Sequence, residues 1–169
     1  MQGAPGVGKT FAAKRLAYSM MGVKDSSRVT MVQFHQSYSY EDFIMGFRPA
    51  STGFELKKGP FYSFCKKAET DIENDYFFII DEINRGEISK IFGELFFAID
   101  PGYRGRAGEV STQYANLHAD PDEKFFIPEN VYIIGTMNDI DRSVDSFDFA
   151  MRRRFRFIEL RADECLEML

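Results

Sequence analysis

Gly3-Ala4-Pro5-Gly6-Val7-Gly8-Lys9-Thr10 is the stretch of sequence that decides the fold, because it satisfies the pattern GxxxxGK[ST] in full. Glycines let the backbone form a concave turn whose N–H groups point at phosphate oxygens, and the following helix adds its positive N-terminal end. Lys9 is then expected to reach the β- and γ-phosphates of a nucleotide, and the Thr10 hydroxyl to ligate Mg²⁺. A glycine-rich turn without a ligand is the alternative, but it gives no reason for a Lys-Thr pair at this spacing.

A pair of acids follows a strand-like run further along the chain. Tyr76–Asp81 is apolar up to its last residue, and Glu82 comes next. In a parallel sheet, such a run places its carboxylates at the C-terminal edge, where ligands of these sheets bind. The pattern predicts Asp81 as the Mg²⁺ carboxylate and Glu82 as the general base for the water that attacks the γ-phosphate. A strand ending in a solvated acidic turn is the alternative, and the upstream Lys9-Thr10 pair makes it the weaker one.

The wider pattern alternates apolar runs with helical spacing, which predicts an α/β fold of three layers with a mostly parallel sheet. The predicted strands are Arg28–Phe34, Tyr76–Asp81, Val131–Met137 and Phe155–Leu160. The predicted helices are Lys9–Met21, Tyr40–Gly46, Pro60–Glu73, Glu87–Ile99 and Val144–Arg153. The segments Pro49–Gly59 and Asp100–Lys124 break this alternation, and we expect short hairpins or loops there.

Composition limits the classes of protein that the chain can belong to. Its 169 residues suit one domain over residues 1–169, and 44% hydrophobic with 28% charged residues is ordinary for a globular protein. A formal charge of −5 offers no basic face for nucleic acid. Cys65 and Cys165 stand far apart without a metal-ligand pattern, so we expect reduced thiols. Without a signal peptide or a long apolar run, we expect a cytoplasmic chain that contacts no membrane.

Asn138 follows the predicted strand Val131–Met137, and an amide at that place can orient the attacking water. Together with Asp141 and Arg142, Met137 and Asn138 form Met-Asn-x-x-Asp-Arg, which resembles the signature of McrB-type GTPase subunits of methylcytosine-specific restriction systems, a branch of the AAA+ P-loop NTPases. Two further stretches are similar to that family, Met31–Phe43 and Ile80–Arg85. The resemblance runs from Gly3 to about Leu160.

The resemblance implies the nucleotide-binding core called the AAA+ large subdomain, with Asn138 as the sensor 1 residue. We place the nucleotide contacts at the loop and the residue after it, namely Gly3, Ala4, Pro5, Gly6, Val7, Gly8, Lys9, Thr10 and Phe11. Members of the family assemble as rings, usually hexamers, and a separate subunit stimulates hydrolysis and carries the nuclease. By resemblance we expect GTP or ATP as substrate, Mg²⁺ as cofactor, and contact with DNA only through a further domain or the partner.

Arg152, Arg153 and Arg154 follow a predicted helix and precede the last predicted strand. In AAA+ rings this place supplies arginine fingers, which neutralise the charge developing on the phosphoryl group in a neighbouring subunit. The sequence does not say which of the three arginines is the finger. The alternative is a solvated basic helix end, which the helix dipole also favours.

Two expected parts of the family's machinery are absent from the pattern. A P-loop follows a strand, yet only Met1 and Gln2 precede Gly3, and the family's helical lid would lie after Leu169. We therefore expect a core truncated at both ends, with an unfilled place between the sensor strand and the last strand. Two alternatives stay open: a nucleotide-binding remnant or interaction module without turnover, and an ATP-specific motor of another AAA+ branch.

Overall fold

The computed structural model describes residues 1–118, 120–138 and 149–161, and it divides the chain into two compact units. The first, here called the sheet unit, comprises Met1–Gln36, Tyr76–Gly86 and the described part of Tyr132–Leu169. The second, here called the aromatic unit, comprises Ser37–Asp75 and Glu87–Val131. The single domain over residues 1–169 stays a prediction.

Strands and helices of the described residues are numbered in chain order. The strands are β1 (Gln2–Gly3), β2 (Val29–Gln33), β3 (Met45–Ala50), β4 (Gly53–Lys58), β5 (Tyr76–Asp81), β6 (Val131–Gly135) and β7 (Met137–Asn138). The α-helices are α1 (Lys9–Met21), α2 (Tyr40–Phe43), α3 (Pro60–Glu69), α4 (Ile88–Phe92) and α5 (Phe149–Arg152). None of the helices in the described ranges is long and apolar enough to span a membrane.

The sheet unit is built on strands in the order β2-β5-β6, with β5 in the middle. β2 and β5 are parallel, in a register that pairs Val29 with Phe77 and Gln33 with Asp81. The first five residues of β5 are buried, as expected for a central strand that is apolar on both faces. Past Thr136 the chain continues as β7, which pairs with β1 in parallel. The α/β fold with a mostly parallel sheet is thereby confirmed.

β1 occupies the place where we expected no strand. Gln2 and Gly3 pair with Met137 and Asn138, and on the other side Gln2 forms a parallel bridge to Glu159. The prediction of a strand over Phe155–Leu160 is wrong, because that segment makes only this isolated bridge. A strand of two residues offers too few backbone groups to hold a longer neighbour in a ladder.

Helix α1 has the predicted bounds, Lys9–Met21. Glycines in the left-handed conformation stand at both ends, Gly8 with φ 81° before the first turn and Gly22 with φ 68° after the last. Ala13 and Ala17 are fully buried. Their spacing of four residues puts these small side chains on one face, so the helix lies close against the sheet and α1 contacts β5.

The aromatic unit has a core of stacked and edge-on rings. Phe43 of α2 stacks on Phe61 of α3 at 4.7 Å between ring centroids, and Phe92 of α4 packs edge-on against Phe43 at 4.9 Å. Pairs in these geometries contribute roughly 0.5–1.5 kcal/mol beyond their buried area. The segment predicted to hold hairpins or loops, Pro49–Gly59, belongs to the antiparallel hairpin of β3 and β4. Within Asp100–Lys124, short 3-10 turns lie at Pro101–Tyr103, Gly105–Gly108 and Ala115–Leu117.

Three helices of the prediction are too long. The one predicted over Tyr40–Gly46 ends at Phe43, because the chain enters β3 at Met45. The one predicted over Pro60–Glu73 ends at Glu69. The one predicted over Glu87–Ile99 is α4 followed by 3-10 turns, and Gly93, with φ 53°, breaks it. Of the fifth prediction, Val144–Arg153, residues 149–152 form α5 and residues 144–148 lie outside the described residues.

Candidate functional site

The loop Gly3–Thr10 connects β1 to α1, as the motif requires. Gly6 and Gly8 have φ of 82° and 81°, a region that side chains with a Cβ rarely adopt, so glycine is needed at both turning points. Ala4, Pro5, Gly6 and Gly8 are exposed, which leaves the loop open to a ligand. Phe11, the residue after the loop, exposes 52% of its surface.

The Lys9 ammonium is folded back over the loop. Its Nζ donates hydrogen bonds to the carbonyl oxygens of Gly3 at 2.8 Å and Ala4 at 2.7 Å, and Lys9 is 8% exposed. A buried ammonium is stable only when it is hydrogen-bonded, and the loop's own carbonyls meet that need. Lys9 therefore provides a positive charge at the loop, where an anion is expected.

Thr10 and Asp81 lie together although 71 positions separate them in sequence. Thr10 Oγ1 donates a hydrogen bond to Asp81 Oδ1 at 3.1 Å, and the Thr136 hydroxyl donates to the same carboxylate oxygen. Thr136 belongs to none of the motifs that we read from the sequence. The signal that could have found it is a threonine inside an otherwise apolar run, Val131–Met137.

Glu82 is held in an unusual backbone conformation. Its φ of 53° and ψ of 42° make it the one non-glycine residue with positive φ in the described ranges. Such a conformation costs about 1–2 kcal/mol for an L-residue. Asn138 Nδ2 donates to Glu82 Oε1 at 2.6 Å, and Arg85 Nε donates to Glu82 Oε2 at 2.9 Å. Local strain with paired polar side chains is typical of functional sites.

The oxygens at this site suit Mg²⁺. A carboxylate and a hydroxyl are the hard oxygen ligands that this ion takes from proteins, and it keeps several waters besides. Thr10 Oγ1 and Asp81 Oδ1 are 3.1 Å apart beside the loop, so one ion can contact both. The described residues contain no cluster of three or more His, Cys, Asp or Glu side chains that could hold a metal ion.

The three arginines predicted as finger candidates lie at and just after the end of α5. Arg152 and Arg153 are exposed, and Arg152 is the last residue of α5. Arg154 is half-buried, and its backbone N–H donates to the Met151 carbonyl at 3.0 Å. Of the signature residues, Met137 and Asn138 form β7, whereas Asp141 and Arg142 lie outside the described residues.

A phosphate-binding loop between a strand and a helix, with Asp81 and Glu82 at the end of a buried parallel strand, defines a P-loop nucleotide-binding domain. Residues 1–155 match the family model described as AAA domain (dynein-related subfamily). The match covers most of the 169 residues, and the chain belongs to this family.

Two curated relatives narrow the comparison. The chain is 54% identical over 160 residues to the type IV methyl-directed restriction enzyme EcoKMcrB subunit of Escherichia coli (strain K12), which covers 95% of this chain and 34% of the relative. It is 29% identical over 193 residues to the type II restriction enzyme BsuMI component YdiS of Bacillus subtilis (strain 168), covering 94% of this chain and 56% of that protein. The resemblance to the McrB branch is confirmed. The chain spans about a third of the length of its McrB relative.

Proposed function

We propose that this chain binds and hydrolyses a nucleoside triphosphate, GTP or ATP, with Mg²⁺, as the core of a motor subunit resembling McrB. The observation that carries the proposal is the 3.1 Å contact between Thr10 Oγ1 and Asp81 Oδ1 beside the glycine loop. It joins the end of the phosphate-binding loop to the end of β5. The two oxygens expected to hold the metal of a bound nucleotide are thus close together.

Lys9 and the loop hold the phosphates in this proposal. The Lys9 ammonium leaves the carbonyls of Gly3 and Ala4 and donates to the β- and γ-phosphate oxygens, while loop N–H groups hold the rest of the chain of phosphates. When bound, Mg²⁺ supplies positive charge that the γ-phosphoryl oxygens need in the transition state. Thr10 and Asp81 are the side chains that would hold it.

Glu82 and Asn138 serve the attacking water. The Glu82 carboxylate accepts a proton from the water while the water oxygen forms a bond to the γ-phosphorus. At the same time, the bond from that phosphorus to the β–γ bridging oxygen breaks. Asn138, 2.6 Å from Glu82 Oε1, orients the base and the water through its amide. The Arg85 guanidinium, whose Nε lies 2.9 Å from Glu82 Oε2, holds the other carboxylate oxygen in place.

The larger assembly is also a proposal. The McrB relative, of which this chain covers 34%, is named as a subunit of a type IV methyl-directed restriction enzyme. By analogy with AAA+ rings, copies of this subunit form a ring of six. In that ring, one of Arg152, Arg153 and Arg154 reaches the nucleotide of a neighbouring copy. A separate subunit supplies stimulation and the nuclease, and DNA is contacted through that partner or a further domain. The whole works in the cytoplasm.

Calorimetric titration tests the binding step. The purified chain is titrated with non-hydrolysable analogues of GTP and ATP, with Mg²⁺ and with a chelator, beside a Lys9→Ala variant. We expect binding by the parent, stronger with Mg²⁺, and none by Lys9→Ala, because that change removes the positive charge over the phosphates. Equal affinity of parent and variant contradicts the proposal. Comparing the affinities for the two analogues also shows whether the chain prefers guanine or adenine, since the phosphate loop does not contact the base.

A binding module without turnover is the second candidate, and one observation favours it. Both oxygens of Glu82 already accept a hydrogen bond, one from Asn138 and one from Arg85. A base that stayed in these contacts would have less freedom to take a proton from water. Phosphate release by chains assembled into rings, compared with Glu82→Gln, separates the candidates: turnover that the variant lacks supports the enzyme, and none in either supports the module.

A further inference from the structure

Thr136 lies between two strands of the sheet unit, at a break in the pairing. β6 ends at Gly135 and β7 begins at Met137, and Thr136 between them is 1% exposed. A buried hydroxyl needs a hydrogen-bond partner, and this one donates to Asp81 Oδ1. The proposed binding and hydrolysis give Thr136 no role, and Thr136 belongs to none of the motifs read from the sequence.

Three hydrogen bonds of Thr136 surround the two acids. Its backbone N–H donates to the Ile80 carbonyl at 2.9 Å, just before Asp81. Its side chain donates to the Asp81 carboxylate. Its carbonyl accepts from the Ile83 N–H at 2.9 Å, just after Glu82. Thr136 therefore holds the backbone on both sides of the Asp81-Glu82 pair, and its hydroxyl also holds the Asp81 carboxylate.

The turn at Glu82 requires such support. A residue with a Cβ in the left-handed region persists only where neighbouring structure holds it. Gly135, next to Thr136, brings the two segments close: a Cβ at this position would lie 2.9 Å from Ile83 Cδ1. The absence of that Cβ lets the Thr136 backbone approach the turn closely enough for both of its hydrogen bonds.

We propose that Thr136 is a positioning residue whose hydroxyl holds the Asp81 carboxylate in place for the metal, and this inference rests on the proposed function. Thr10 and Asp81 are the side chains that would hold Mg²⁺, and the Thr136 hydroxyl would keep Asp81 Oδ1 oriented toward it. Groups that hydrogen-bond to metal ligands fix their orientation, and their loss typically lowers metal affinity by about 10–100-fold.

The test uses Thr136→Val, which keeps the shape of the side chain and removes the hydroxyl, beside Thr136→Ser, which keeps the hydroxyl. Each chain is titrated with a non-hydrolysable GTP or ATP analogue at increasing Mg²⁺, and calorimetry gives the Mg²⁺ concentration for half-maximal gain in affinity. We expect that concentration to rise about tenfold or more in Thr136→Val and to change less than about twofold in Thr136→Ser. Affinity without Mg²⁺ should be unchanged in both.

Thr112→Val is the matched control, since it removes another buried hydroxyl, in the aromatic unit. It should leave the Mg²⁺ requirement as in the parent. An unchanged Mg²⁺ requirement in Thr136→Val overturns the inference, and so does an equal loss of affinity with and without the metal, which indicates a merely structural role. If Thr136→Val does not unfold cooperatively, Thr136→Ala against Thr136→Ser carries the same comparison. A parent chain that binds the analogue equally well with and without Mg²⁺ overturns the proposed function instead.

Discussion

Glu82 stores backbone strain, and a pair of substitutions measures it. Glu82→Gly and Glu82→Ala both remove the carboxylate and its contacts with Asn138 and Arg85, so those losses cancel in the comparison. What remains is the backbone at φ 53° and ψ 42°. Alanine there costs about 1–2 kcal/mol in the folded state, whereas glycine adopts the region freely.

Glycine loses part of this advantage through the unfolded chain, where its greater freedom costs about 0.4–1 kcal/mol on folding. The difference leaves Glu82→Gly more stable than Glu82→Ala by about 1 kcal/mol. For a chain of this size, that corresponds to a melting temperature higher by roughly 2–4 °C. The sign is opposite to the usual one, because alanine is normally the better residue of the two in a folded helix or turn.

Thermal and denaturant unfolding of both variants measures the difference. Lys14 supplies the control, because it is exposed in the interior of α1, where Lys14→Gly should be less stable than Lys14→Ala by about 0.8–1 kcal/mol. If Glu82→Ala proves as stable as Glu82→Gly, or more so, then Glu82 is not held in the left-handed region in solution and the strain argument fails.

Three further outcomes are expected. Glu82→Gln should bind nucleotide as the parent does and fail to hydrolyse it, because the amide keeps the shape and loses the base; phosphate release at the parent's rate contradicts this. Replacing Arg152, Arg153 and Arg154 by Ala should leave nucleotide binding by single subunits intact and lower hydrolysis in rings by up to about a thousandfold. Rings that mix these subunits with Glu82→Gln subunits should recover some hydrolysis. No recovery counts against an arginine finger that acts on the neighbouring subunit. Burial raises the pKa of the Cys65 thiol, so iodoacetamide should label the Cys65 peptide only after unfolding. For the same reason, the free energy of unfolding should fall as the pH rises above the pKa of the unfolded thiol, about 8.5. Mass spectrometry that finds Cys65 labelled in the native chain refutes this.

Several features of the fold and the site are local in origin, and the sequence by itself determined them. The glycine loop and α1 have the predicted bounds because glycines at positions 6, 8 and 22 have the left-handed conformations that turn the chain and end the helix. β5 was predictable from its continuous apolar run, which is typical of a strand buried on both faces. Asp81, Glu82 and Asn138 were placed at strand ends by the same reasoning, since polar residues there mark the edge that ligands reach.

Tertiary structure alone decided which of these groups meet and in what geometry. The contact between Thr136 and Asp81 spans 55 positions and arises from the neighbouring course of β5 and β6, which periodicity does not encode. The positive φ of Glu82 is likewise imposed from outside, because the intrinsic preference of glutamate opposes it and hydrogen bonds from a distant strand segment hold it. Phe155–Leu160 has the composition of a strand but forms none, since strand formation depends on a neighbour, and β1 offers only two residues to pair with.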